Sequence, residues 1–123
     1  MNNINTFIFE KYFAESKLER ENMYSQMLET YQGILENSNI AQEQKSISSQ
    51  EIANINNTKS AIMIAENLIK TKGFDDVVIF VNDKSVSVVI KAEKIEQNQI
   101  AQIQNIISRE LNAEISNIHI STK

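Results

Sequence analysis

The sequence predicts an α+β domain in which helices pack on one face of a three-stranded sheet. Two long proline-free segments with helical periodicity come first, the periodicity then switches to that of strands, and a last helix precedes a short final strand. The expected order is helix, helix, strand, strand, helix, strand, which gives two layers. At 123 residues the chain has the length of one domain, with a long N-terminal helix over residues 1–37 and an α-β-β-α-β core over residues 38–123.

The first helix is predicted from about residue 6 to residue 36, a length of roughly 45 Å, so one end is expected to project. Charged side chains dominate residues 15–22, which we expect to be solvated. An apolar stripe follows at helical spacing: Tyr24, Met27, Leu28, Tyr31 and Leu35. An aromatic cluster precedes the charged part, and it either packs on the domain or lies at the foot of a membrane anchor: Phe7, Phe9, Tyr12 and Phe13.

The second helix is predicted over residues 40–72, with Ser38 or Asn39 as its N-cap and Gly73 at the C′ position. Its first part is polar and low in complexity, and we expect it to fray. The second part has a clear apolar face: Ile55, Ile62, Ala65 and Ile69.

Three strands and a third helix complete the domain. The strands are predicted over residues 77–82, 85–91 and 115–121, and the helix over residues 97–111. The first strand is apolar on both faces, which is typical of a central strand or of one covered by a partner. We expect it in the centre of the sheet, with the third strand beside it.

Composition argues against several functions. The net charge is -4 and the basic residues are scattered, so no basic stripe for nucleic acid is present. The chain has no cysteine, which removes disulfides and thiolate chemistry. No apolar run reaches the roughly 18 residues of a membrane span, and residues 1–6 do not resemble a signal peptide. The single histidine, His119, is expected on the open face of the sheet without a catalytic or metal partner. We therefore expect an interaction domain with no enzymatic activity and no cofactor.

A corner between the second helix and the first strand is the candidate binding site. Asp75 and Asp76 are neighbours, so on a strand they point to opposite faces and cannot act as a pair. They either solvate a turn or, with Phe74 beside them, form a recognition loop. Val78 and Phe80 of the following strand are expected to form an apolar strip on the open face. These five residues are the predicted partner-binding set.

Two stretches resemble a known family. Residues 12–21, running on to residues 25–27, form the first stretch, and the second is residues 72–77, followed by Val86, Val88 and residues 89–92. In this order and spacing they resemble the stage III sporulation protein AH family of endospore-forming bacteria, over nearly all of the chain from Phe7 onward. The helices depart from the family by using Asn, Gln, Ser and Ile in place of many Lys and Glu residues.

The resemblance implies a role in sporulation. Family members are anchored by an N-terminal span in the mother-cell membrane around the forespore, and their soluble part lies between the two membranes. That part resembles the ring-building modules of secretion systems and binds the LytM-like domain of stage II sporulation protein Q, forming a bridge or channel. The resemblance also implies contacts with other stage III sporulation A proteins and self-assembly into rings. This chain would be the soluble portion, and a zinc ion, where present, would belong to the partner.

Three alternatives remain open from the sequence. The chain could be a ring-forming subunit of another export apparatus, with the same fold and a different partner. It could be a small hydrolase that depends on His119. It could also be a helical scaffold in which residues 6–72 form an antiparallel hairpin and the sheet is incidental.

Overall fold

The computed structural model describes the backbone of residues 3–123 and the side chains from residue 11 onward, so residues 1 and 2 of the predicted first helix and the side chains of Phe7 and Phe9 lie outside the described part. The elements are α1 (Asn3–Glu36), α2 (Gln42–Lys70), β1 (Val77–Asn82), β2 (Ser85–Ile90), α3 (Gln97–Leu111), a 3₁₀ turn (Ile115–Asn117) and β3 (Ile118–Thr122). The predicted fold class and element order are confirmed.

The first two helices form an antiparallel hairpin. Arg20 of α1 pairs with Glu66 of α2 at 2.7 Å, and Glu21 pairs with Lys59 at 2.9 Å, so residue numbers rise along one helix as they fall along the other. With 34 residues, α1 is about 50 Å long, whereas a six-residue strand spans about 20 Å. The hairpin therefore extends well past the sheet.

The ends of α2 differ from the prediction. The N-cap is Ala41, which has no capping side chain, so Ser38 and Asn39 do not cap the helix. The side-chain oxygen of Asn37 instead accepts a hydrogen bond from the N–H of Asn39 at 2.9 Å and closes the turn between the helices. Gly73 has a φ of 100°, as a helix-terminating glycine should, but it lies two residues beyond the C-cap Thr71.

One core holds helices and sheet together. The predicted apolar face of α2 is buried in full, and α3 contributes Ile103, Ile106 and Ile107. The strands contribute these residues to the same core: Val77, Ile79, Val86, Val88, Ile90 and Ile118. Because six strand residues build the core, the sheet is not incidental to the helical hairpin. Met27 departs from its predicted stripe, since its side chain is exposed.

The strand order is β1-β2-β3, with β1 and β2 antiparallel and β2 and β3 parallel. The expectation that the first strand is central is therefore wrong, because β2 occupies the centre. Apolar side chains on both faces of β1 indicate that both faces are covered. This pattern does not determine which strands are the neighbours of β1. Val77, Val78 and Ile79 are all fully buried although β1 is an edge strand. No helix within residues 3–123 has the length and apolar character needed to cross a membrane.

Candidate protein–protein interface

The hydrogen bonds around β1 fix which of its backbone groups face away from β2. The carbonyl of Asp76 accepts a bond from the N–H of Lys91, just beyond β2, at 2.9 Å. Alternate residues of an antiparallel edge strand turn their N–H and C=O groups outward. The backbone groups of Val77 and Ile79 therefore face away from the sheet, at the edge where another strand could pair.

Two helix side chains bind the outward groups of Ile79. The N–H of Ile79 donates to Glu66 Oε2 at 3.0 Å, and the carbonyl of Ile79 accepts from Arg20 Nη1 at 2.7 Å. The side chain of Arg20 is 13% exposed and that of Glu66 is 10% exposed, and the two also form an ion pair with each other. Burial raises the pKa of Tyr24 beside them; the charge of Arg20 opposes this rise, and those of Glu21 and Glu66 add to it. The β1 edge is thus closed at Ile79.

The predicted corner is closed as well. Phe74 is 8% exposed and belongs to the main core, so the expectation of an exposed aromatic is wrong. Its side chain turns inward because the chain bends at Gly73 before entering the sheet. Asp75 is exposed, whereas Asp76 is half-buried and bonds to Lys17 at 2.7 Å. The two carboxylates have separate environments, consistent with the expectation that they do not act as a pair.

Asp76 is the perturbed acid of this corner. Burial of the carboxyl raises its pKa, but hydrogen bonds from Lys17 and from the N–H of Val77, together with the charges of Lys17 and Lys70, lower it by more. The pKa of Asp76 therefore lies below its ordinary value. The contact with Lys17 also ties α1 to the start of β1.

The second face of the sheet is covered at β1. Val78 is fully buried and Phe80 is half-buried, so the expected open apolar strip does not exist in that form. Phe13 of α1 is also fully buried, and neither Phe13 nor Val78 is part of the main core. Tyr12 packs edge-on against Phe13 at 5.2 Å, and Lys123 Nζ lies 4.8 Å above the Tyr12 ring. The start of α1 therefore reaches from the β1 edge to the end of β3, and these two aromatics pack on the domain.

The other edge of the sheet, at β3, is arranged differently. The N–H of Lys123 donates to the carbonyl of Ile90 at 2.9 Å, so alternate residues direct the backbone of Ile118, Ile120 and Thr122 outward. The N–H of Ile118 donates to the carbonyl of Ile115 in the preceding turn, which leaves Ile120 and Thr122 as the residues with free outward N–H groups in the described part of β3. Within residues 11–123, no side chain forms a hydrogen bond with these outward groups. The β3 edge is thus open to pairing with another strand.

A groove lined by both polar and apolar side chains runs beside this edge. It has a volume of about 420 Å³, and Ile95 and Ile100 line it opposite Ile118 and Ile120 of β3. A strand added to β3 would direct alternate side chains toward these isoleucines. The open edge and the groove together form a surface that can bind an extended segment, which we call the β3 surface.

A second depression continues the β3 surface. Its volume is about 430 Å³, and Asp75, Lys91, Thr122 and Lys123 are among the residues that line it. Asp75 is thus the predicted site residue that lies next to the end of β3. His119, exposed on the same strand as predicted, faces away from the core. In the described residues, no group of three or more His, Cys, Asp or Glu side chains could hold a metal ion.

Sequence reasoning missed the residues that close the β1 edge. Arg20 lies in a stretch whose charge density predicts solvation, and the apolar pattern of α2 does not single out Glu66. A signal was present in the spacing, because Arg20 lies four residues before Tyr24 and Glu66 four residues after Ile62, in phase with the buried stripe of each helix. A charged residue in phase with an apolar stripe needs a partner, and here both partners are found together at Ile79.

Comparison with known proteins agrees with this architecture. A chain in the structure of the SpoIIQ-SpoIIIAH pore forming complex is similar with a TM-score of 0.82 and 16% identity, over 91% of this chain and 96% of that one. The type III secretion system protein EscJ of enteropathogenic E. coli is similar with a TM-score of 0.52 and 18% identity, over 72% of this chain and 60% of that one. At these identities the likeness shows the fold alone. No curated protein sequence matches the chain. The model of the SpoIIIAH-like protein family matches residues 8–120, and the chain therefore belongs to that family.

Proposed function

We propose that this chain is an assembly protein of sporulation, the mother-cell component of a bridge or channel that binds the LytM-like domain of stage II sporulation protein Q. The family match over residues 8–120 supports this role, as does the likeness to a chain of the SpoIIQ-SpoIIIAH pore forming complex. The proposal includes a non-catalytic role, anchoring in the mother-cell membrane by an N-terminal span, and a place for this domain between the two membranes.

The observation that carries the proposal is the β3 surface. The outward backbone groups of Ile120 and Thr122 have no partner among residues 11–123, and they lie beside a groove lined by Ile95 and Ile100. This is the arrangement that proteins use to bind a partner strand. Main-chain hydrogen bonds supply affinity in this mode, and the side-chain groove supplies specificity.

The five predicted partner-binding residues take different parts in this proposal. Asp75 lines the depression that continues the β3 surface, and we place it at the margin of the interface. Phe74, Asp76, Val78 and Phe80 are buried or half-buried, so we expect them to act on the partner by positioning β1 and Asp75.

Calorimetric titration with the soluble LytM-like domain of stage II sporulation protein Q tests the proposal. Thr122→Pro removes an outward N–H while leaving the bonds of β3 to β2 intact, and it is expected to weaken binding at least tenfold. Ile100→Glu places a charge in the groove and is expected to do the same. Met63→Glu, at an exposed position of α2, is the matched control and should bind as the unchanged chain does.

Three results would decide against this interface. Thr122→Pro and Ile100→Glu could both bind like the unchanged chain, which would rule out the β3 surface. Loss of binding in Asp75→Lys alone would place the contact at the corner around Asp75. A loss in Met63→Glu equal to that in Ile100→Glu would locate the contact on the helices.

A second candidate follows from the likeness to EscJ. A ring-forming subunit of another secretion-type apparatus would share the fold and differ in its partner. Self-assembly of the chain without any binding to the LytM-like domain would favour this candidate. Self-assembly into rings and contacts with other stage III sporulation A proteins are also compatible with the first proposal, since they would use surfaces other than β3.

A further inference from the structure

We infer that Arg20 and Glu66 determine which edge of the sheet accepts another strand: they close the β1 edge and so direct strand addition to β3. This deepens the proposed function, because it assigns the residues that restrict a partner to one edge. The inference concerns the chain by itself, and its test therefore does not depend on the sporulation partner.

The geometry at Ile79 carries the inference. Both outward backbone groups of this residue are bound by helix side chains, at 3.0 Å for the N–H and 2.7 Å for the carbonyl. The next outward donor along the edge, the N–H of Val77, bonds to Asp76 Oδ1 at 2.8 Å. A strand approaching the first part of β1 meets three groups that are already paired, the N–H of Val77 and both groups of Ile79, whereas the outward groups of β3 have no such side-chain partner within residues 11–123.

A purely stabilising role would not require charged residues here. Arg20 and Glu66 are nearly buried, and apolar residues of similar volume often stabilise such a position as well as an ion pair does. Apolar side chains, however, would leave the N–H and carbonyl of Ile79 unpaired at an open edge. The Arg20–Glu66 pair bonds to both the N–H and the carbonyl of Ile79, which an apolar pair could not do.

The occupant expected at an opened β1 edge is the β3 edge of a second copy of the chain. Each copy would then present one open edge of each kind, and the contact would be head-to-tail. Such contacts extend into open chains when the rotation between copies does not close. Opening the β1 edge should therefore cause self-association that grows with concentration.

The test compares variants of the full chain by light scattering over a range of concentrations. Arg20→Ala combined with Glu66→Ala removes both charges together and leaves the N–H and carbonyl of Ile79 without their side-chain partners. Its weight-average mass is expected to rise with concentration to at least twice the 14.0 kDa of one chain. Glu66→Gln keeps an oxygen that accepts from the Ile79 N–H, and its mass should stay that of the unchanged chain.

Two further variants identify the cause of association. Adding Thr122→Pro to the double variant blocks the β3 edge and should return the mass to that of the unchanged chain. Ile103→Ala destabilises the buried core while leaving the β1 edge closed, and it should not associate. Hydrogen exchange at the Ile79 amide should be fast in the double variant and slow in Glu66→Gln.

Each remaining outcome overturns part of the inference. A double variant with unchanged mass would show that Arg20 and Glu66 do not guard the edge. Equal association of Ile103→Ala would assign the effect to lost stability. Association that Thr122→Pro fails to reverse would exclude β3 of a second copy as the occupant. A failure to bind the sporulation partner, by contrast, would not affect the masses measured for these variants, so the two proposals are tested separately.

Discussion

Replacing Glu66 with alanine should destabilise the protein far more than breaking a neighbouring ion pair of the same helical hairpin. Glu66 is 10% exposed, and its carboxylate accepts bonds from both Arg20 and the N–H of Ile79. In Glu66→Ala the guanidinium loses its counter-charge and the N–H loses its acceptor. Removing one member of a buried pair costs about 3–5 kcal/mol, and we take about 3 kcal/mol because Arg20 lies near enough to the surface to recruit water.

The matched control is Lys59→Ala. Lys59 pairs with Glu21 across the same two helices, but the side chains of Lys59 and Glu21 are 30% and 55% exposed. Exposed pairs of this kind contribute about 0.2–1 kcal/mol. The two variants therefore separate the effect of the closed edge from that of an ordinary contact between the helices.

Urea unfolding followed by circular dichroism measures the difference. With an m-value of about 1.5 kcal/mol per M, a loss of about 3 kcal/mol lowers the unfolding midpoint by about 2 M, and Lys59→Ala should lower it by at most about 0.7 M. The double variant Arg20→Ala with Glu66→Ala should lose less free energy of unfolding than the two single variants together, because no unpaired charge remains. Equal midpoints for Glu66→Ala and Lys59→Ala would refute the reasoning.

Two other outcomes are expected. The lowered pKa of Asp76 means that its ionised form stabilises the fold at neutral pH, and that this contribution is lost as the pH falls below about 4 and through the folded-state pKa. Asp76→Asn should therefore be less stable than the unchanged chain at pH 7, with the difference shrinking in acid; a constant difference in thermal unfolding between pH 7 and pH 3 would contradict this. Phe13→Ala should cost about 3 kcal/mol, since Phe13 is fully buried, whereas Leu18→Ala, 61% exposed, should stay within about 0.5 kcal/mol; equal losses in urea unfolding would show that the start of α1 does not pack on the domain.

Local patterns in the sequence were sufficient for the elements and for the faces they bury. The apolar face of α2 and the alternation of β2, in which Val86, Val88 and Ile90 point inward, are set by periodicity and burial alone, and both were predicted. The strand order was not predictable in the same way, because the apolar faces of β1 are consistent with any position in which both faces are covered. What covers the outer face at Val78 is a long-range arrangement that a strand pattern does not contain.

The candidate site was harder to predict for the same reason. Phe74 looked like an exposed anchor because it sits between a glycine and two aspartates, yet its exposure depends on how the chain turns at Gly73 into the core. Asp75 was correctly placed at the surface, since a charged residue at a turn needs no partner. The β3 surface was missed because its groove combines β3 with Ile95 and Ile100, which are distant in sequence.

The difference between the two edges is an outcome of contacts far apart in sequence. Arg20 is 59 residues from Ile79, and Glu66 is 13 residues from it, so neither contact is visible in any local window. A strand pairing with β1 would first have to break three internal hydrogen bonds, those of Ile79 N–H, Ile79 C=O and Val77 N–H. At about 1 kcal/mol each, these bonds disfavour β1 by about 3 kcal/mol, which corresponds to roughly a hundredfold preference for β3. A partner that needs one open edge thus finds it at β3, and the preference depends on two side chains of the helical hairpin rather than on the strands themselves.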